Sequence, residues 1–275
     1  MSGEASEIIR HQQNQDCKDI LHWLTPIDYG PQQSDFIKRR QEGTGTWLLG
    51  TKEFKTWLDQ RNKTLFCSGI PGAGKTILTS VVVDHLCSKY RANLNVGIAY
   101  IYCNFRQREQ QNLENLLLSL VKQLLQTRTF EPEIVRTLYD SHSRKQTRLS
   151  FNEILEALGS VAAQYSRVLV IVDALDECGV SDGERQKFLS AIFNLQDRTG
   201  VNLFVTSRID GKIAKLFETA LSLQIRANRE DVESYLDGQM SLQPDILDDD
   251  LRDTIRREIV SAVDGMHACL SLDTV

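Results

Sequence analysis

Eight residues, GIPGAGKT at positions 69–76, constrain this chain more than any other stretch. They satisfy G-x-x-x-x-G-K-[ST], the pattern of a loop that wraps a phosphate chain. The glycines let the backbone curl so that successive N–H groups converge on one anion. A helix starting at Gly74 adds the positive end of its dipole. The Lys75 ammonium can reach the terminal phosphates, and the Thr76 hydroxyl can ligate Mg²⁺. The expected phosphate-holding residues are Gly69, Pro71, Gly72, Ala73, Gly74, Lys75, Thr76 and Ile77. Such a loop needs a buried strand behind it and an amphipathic helix in front. LFCSGI (65–70) and the run from 75 to 90, with Leu78, Val81, Val82, His85 and Leu86 at helical spacing, supply both. A glycine-rich turn with a surface lysine would not account for those flanks.

The rest of the chain continues the alternation. Strands are expected at 65–70, 96–105, 167–172, 201–206 and 221–226. Helices are expected at 5–24, 52–60, 75–90, 112–126, after Pro132, at 151–164, 182–195 and 211–219, and from 228 onward. Ser150 with Glu153, and Ser181 with Glu184, have capping-box spacing. Pro26 and Pro31 are read as ending the first helix, and 25–46 as loop. Leu247, Leu251, Ile255, Ile259 and Val263 recur every four residues, in keeping with a helix near the end. Strands one, three and four are nearly unbroken apolar runs, as in strands buried on both faces. Strands alternating with helices imply a parallel sheet with right-handed crossovers, an α/β fold.

A phosphate loop needs an acidic strand end to hold its metal, and VLVIVDALDEC at 168–178 offers one. Asp173 follows five apolar residues and emerges at the carboxyl end of the strand, where ligands sit in open α/β sheets. Thr76 and Asp173 are the expected Mg²⁺ ligands, Asp173 through water. Asp176 and Glu177 can orient or deprotonate an attacking water. Strand four ends in Thr206-Ser207-Arg208, where Arg208 can tell a triphosphate from a diphosphate by bidentate pairing. The expected catalytic set is thus Glu177, Asp176 and Arg208, although carboxylates at strand ends and surface arginines are also common without function.

Composition narrows the class further. A net charge of −5 gives no basic surface for nucleic acid, and the runs KRR (38–40) and RR (256–257) read as solvated faces. The six cysteines form no C-x-x-C pair and have no His at zinc spacing, so no structural zinc is expected. The polar start, MSGEASEIIRHQQNQD, has no apolar leader, and no apolar run approaches a spanning helix. A reduced, cytoplasmic, soluble protein is expected.

Six stretches together carry a resemblance: GTGTWLLGTKEFKTWL (43–58), GIPGAGKT (69–76), YIYCNFR (100–106), LVIVDALDEC (169–178), FVTSR (204–208) and DVESYL (231–236). In this order they resemble the NACHT class of P-loop NTPases, the STAND type, and most closely the nephrocystin-3-like N-terminal domain common in filamentous fungal proteins. The resemblance covers about residues 35–240. It implies a sheet in the order 5-1-4-3-2, with 206–208 between the phosphate loop and the acidic cluster. It also implies that 43–48 lie near the base and ribose, with Trp47 as a nucleotide contact. From the residues alone, an aromatic beside a turn is more often core.

Proteins of this class act as nucleotide switches whose open state self-associates, and the fungal members resemble immune-like and heterokaryon-incompatibility receptors. The implied division is an N-terminal helix and linker (1–34), a nucleotide-binding domain (35–227) and an incomplete helical lid (228–275). The run after Gly265-Met266 is shorter than the family's, which suggests a nucleotide-binding core cut from a larger receptor. Three readings stay open: a slow Mg²⁺-dependent NTPase switch using ATP or, as the alternative, GTP; a nucleotide-binding interaction or decoy module that does not hydrolyse; and a P-loop kinase.

Overall fold

The structure is a computed structural model that describes residues 15–127, 132–178, 182–241 and 249–271. The expected helix over 5–14 and the Ser181 cap lie outside the described residues. Five parallel strands form the sheet: β1 (Thr64–Ser68), β2 (Val96–Tyr102), β3 (Arg167–Asp173), β4 (Asn202–Ser207) and β5 (Leu221–Gln224). Their spatial order is β2-β3-β4-β1-β5, the order the resemblance implied. In register, Cys67 lies beside Thr206 and Tyr102 beside Asp173, so the carboxyl ends of β1, β4, β3 and β2 line one edge.

The helices are α1 (15–24), α2 (Gly30–Arg39), α3 (Trp47–Gly50), α4 (Lys52–Asp59), α5 (Lys75–Lys89), α6 (Leu113–Gln126), α7 (Glu133–Ser143), α8 (Phe151–Ala162), α9 (Asp182–Thr199), α10 (Gly211–Lys215), α11 (Arg229–Ser241) and α12 (Asp249–Ser271). The sheet separates two cores. On one face Val168, Val170, Val172, Leu203 and Val205 pack against α6, α8 and α9. On the other, Leu65, Cys67, Leu169, Ile171 and Phe204 pack against α4 and α5. Alternate residues of β1, β3 and β4 therefore point into opposite cores, which is why these strands read as unbroken apolar runs. The Ser150–Glu153 capping box at the start of α8 is present.

One expectation fails. Residues 25–46 are not simply loop: α2 occupies 30–39. Pro31 stands in its first turn, where a missing N–H costs nothing, and so opens a helix rather than ending one. Lys38 and Arg39 close it, with charges that suit the negative end of the helix. The helix expected near the C-terminus is present as α12, and its apolar residues are unevenly buried. Leu251 and Ile259 are 45% and 38% exposed, while Val260 is 6% exposed. Leu247 and the Val263 side chain lie outside the described residues.

One buried polar side chain fixes the amino end of the sheet. Asn202 Nδ2 donates to Trp57 O (2.5 Å) and Gln60 O (2.6 Å), and its Oδ1 accepts from Lys63 N (3.2 Å). Asn202 is fully buried, so losing the amide leaves the buried Trp57 carbonyl unpaired and two part-buried backbone groups without their partner. Asn202→Ala is expected to lower stability by about 2–3 kcal/mol in urea denaturation, more than its lost volume accounts for.

Candidate functional site

The phosphate loop joins β1 to α5. Gly72 and Gly74 have φ near +81°, the left-handed region that glycine enters without strain, and Gly74 caps α5. Gly69 is required for a different reason. A Cβ there would stand 2.7 Å from the Ile225 carbonyl oxygen, because the chain leaving β5 crosses directly over it. Gly69 N donates to Ser207 O (3.1 Å), and Ile225 N donates to Ser68 O (2.6 Å), so the loop is anchored on both neighbouring strands. Lys75 folds back over it and donates to Gly69 O and Ile70 O, both at 2.8 Å. Partial burial pulls the Lys75 pKa down, opposed by the nearby Asp176 and Asp173 carboxylates. Pro71 and Gly72 are exposed, Ala73 is buried, and Thr76 and Ile77 face the cleft.

The acidic cluster assembles against this loop. Asp173 is 2% exposed and accepts from three threonine hydroxyls: Thr76 (2.7 Å), Thr79 (2.7 Å) and Thr206 (2.6 Å). Thr206 also accepts from Ala174 N (2.9 Å), which orients its proton toward Asp173. Burial raises the Asp173 pKa, and the three hydroxyl donors pull against it. Ala174 adopts φ 52°, turning the chain into a short 3₁₀ turn, Leu175–Glu177, that presents Asp176 and Glu177. Arg208 N donates to Asp176 Oδ1 (2.9 Å), and its guanidinium pairs with Asp176 Oδ2 (3.1 Å) and Glu177 Oε1 (3.0 Å).

The structure thus brings together the phosphate loop, Thr76, Asp173, Asp176, Glu177 and Arg208. Arg208 is engaged by the two carboxylates. Trp47 sits apart from this cluster. It is half-buried beside the α4–α5 core, and its indole N–H donates to Asp231 Oδ2 (3.1 Å), which also accepts from Gly45 N (2.9 Å). Sequence reasoning missed Thr79 and Asp231. Thr79 was visible as a hydroxyl one helical turn after Thr76. Nothing in the local pattern around Asp231 points to Gly45 or Trp47, nearly two hundred residues earlier. A cavity of about 990 Å³ lies elsewhere, between Trp23, Tyr139 and Leu118, and takes no part in this arrangement.

The strand order, the glycine loop and the acidic end of β3 define a P-loop NTPase fold. The profile of the family described as "Nephrocystin 3, N-terminal" matches residues 43–208, more than half of the sequence. The chain belongs to that family. No curated protein matches it. Among solved structures it is similar to the Walker-type ATPase of Pyrococcus abyssi (14% identity, 82% of this chain and 64% of that one, TM-score 0.49). It is also similar to AMPPCP-bound DnaA from Aquifex aeolicus (13%, 86% and 64%, TM-score 0.45). A third is the Aeropyrum pernix ORC1 protein in complex with DNA (19%, 83% and 56%, TM-score 0.46). The chain spans less than two thirds of the length of each of these three. Among the described residues no helix is long and apolar enough to cross a membrane.

The raised Asp173 pKa has a sign that can be checked. The folded protein holds this proton more tightly than the unfolded chain, so its charge costs stability as pH rises above the ordinary carboxylate range. Asp173→Asn is therefore expected to melt higher than wild type at neutral pH without ligand. The gap should close as acidification protonates the wild-type group. Melting curves across pH check both statements.

Proposed function

We propose that this chain is the nucleotide-binding switch module of a NACHT-type, STAND-class NTPase that takes Mg²⁺ and ATP, with GTP as the alternative base. The observation that carries the reading is the 2.7 Å contact between the Thr76 hydroxyl and the Asp173 carboxylate, set at the mouth of the glycine loop. A hydroxyl and a buried carboxylate on adjoining elements are the donor set that Mg²⁺ accepts while keeping most of its waters, so these residues fit the ion. When bound, Mg²⁺ would neutralise charge on the terminal phosphates. The 69–74 backbone and Lys75 would hold the phosphates, and Thr79 and Thr206 would keep Asp173 aimed at Thr76. Glu177 would orient the attacking water once Arg208 releases it. Residues 35–227 form the nucleotide-binding domain in this reading, with 228–275 as its helical lid. The partners are the nucleotide and a second copy of the module, in a cytoplasmic, signal-transducing, immune-like receptor of fungal type. The acidic net charge argues against nucleic acid.

One observation favours a second reading, a module that binds nucleotide without hydrolysing it. Glu177 is held on one oxygen by Arg208 and lies 3.5 Å from Phe105 N on the other. A carboxylate so engaged is a poor base.

Two measurements decide. Mg-ATP at about 100 times its Kd is expected to raise the melting temperature by about 5–10 °C. Lys75→Ala should erase that rise. No rise in the wild type at millimolar Mg-ATP would sink the nucleotide reading. Glu177→Gln separates the two forms of it: hydrolysis predicts that phosphate release drops roughly a hundredfold while binding persists. Equal release from both proteins removes Glu177 from the role.

A further inference from the structure

A cavity of about 550 Å³ opens beside the Thr76–Asp173 pair, on the side away from β1. Its floor is Thr76, Asp173 and Glu177. One wall is α2, whose Gln32, Asp35, Phe36 and Arg39 are spaced i, i+3, i+4 and i+7 and so share a helical face. The opposite wall is the turn after β2, which carries Phe105 and Arg106. Both walls are fixed. Gln33 Nε2 donates to Ser80 O (3.0 Å) on α5, Tyr102 donates to Gln33 Oε1, and the Phe36 ring lies 4.8 Å from that of Tyr102. Asn104 accepts from Arg106 N (2.9 Å) and is itself held by Gln111.

Charge makes this cavity informative. The motif residues bring three carboxylates, Asp173, Asp176 and Glu177, against two cations, Lys75 and Arg208. Arg208 is already paired with two of those carboxylates. A nucleoside triphosphate adds further negative charge, and its last phosphate would lie beyond Thr76, toward the cavity. Among the described residues Arg39 and Arg106 have no acidic partner within ion-pair distance, even though Asp35 stands one turn before Arg39. Gln32 Oε1, on the same face of α2, is buried without a hydrogen-bond partner, which native proteins rarely tolerate unless a ligand or water completes it.

We propose that Arg39 and Arg106 form a two-armed clamp for the terminal phosphate. α2 and the β2 turn, rather than Arg208, then set the preference for a nucleoside triphosphate over a diphosphate. Guanidinium groups suit this task because they pair with phosphate in a planar, bidentate way. The inference rests on the nucleotide reading above. It also gives a use to α2, which lies outside the 43–208 family match.

The test is a pair of affinities on the full chain, for Mg-ADP and for the Mg-bound imido analogue of ATP, by calorimetry. Wild type should bind the analogue more tightly than ADP. Arg39→Gln and Arg106→Gln should each weaken the analogue roughly tenfold and leave ADP within about twofold. Both arginines are exposed, so the retained ADP binding reports that each variant is folded. Arg106→Lys, which keeps the charge but not the fork, should lose less than Arg106→Gln. Equal weakening of both ligands, or no weakening of either, overturns the clamp and leaves the nucleotide reading standing. If wild type binds neither ligand, the nucleotide reading itself fails and the clamp falls with it.

Discussion

Asp173 is the point on which the site depends. A carboxylate removed from water is costly unless it is hydrogen-bonded, and here three threonine hydroxyls offset part of that cost. Two of them come from α5 and one from β4, while the carboxylate itself ends β3. One ionisable group thus fixes a helix and two strands at the edge where the glycine loop opens. Fully satisfied, such a network specifies one arrangement; with one donor missing it would be a liability. The metal position proposed for Thr76 and Asp173 is in this sense already built into the packing.

Around that point charge is arranged in two layers. The inner layer is neutral donors on a buried carboxylate. The outer layer is ionic: Arg208 bridges Asp176 and Glu177, and Arg185 donates to the Asp176 carbonyl oxygen at 3.1 Å. Arg208 is half exposed, so its pairs are screened and exchangeable. The buried layer is suited to hold and the exposed layer to rearrange. A ligand that competes for Arg208 would free Glu177, and a ligand that does not would leave Glu177 quenched.

Much of this was legible in the sequence because the physics was local. Doubly buried strands must be apolar throughout, so β1, β3 and β4 announced themselves, and their alternation with helices fixed the fold class. GIPGAGKT and the carboxyl end of VLVIVD follow from what phosphate and metal require of adjacent residues. What escaped depended on distant partners. α2 begins at a proline and has no fully buried residue, so its pattern resembled loop; its place comes from contacts with α5 and Tyr102. The KRR run, read as a solvated face, is exposed at Lys38 and Arg39, but the sequence does not show that Arg39 borders a cavity. The four-residue spacing in α12 announced a helix but not which of its residues would be buried.

Asp231 reaches back across most of the chain to the turn at Gly45 and Trp47, and one oxygen serves both donors. β5 likewise closes the sheet edge, and the chain leaving it passes over Gly69 at a distance only glycine permits. Both lie beyond residue 208, where the family match stops. The stretch that the family profile covers is therefore shorter than the stretch whose contacts hold the glycine loop and the Gly45 turn in place. A cut at residue 208 would take the mortar and leave the bricks.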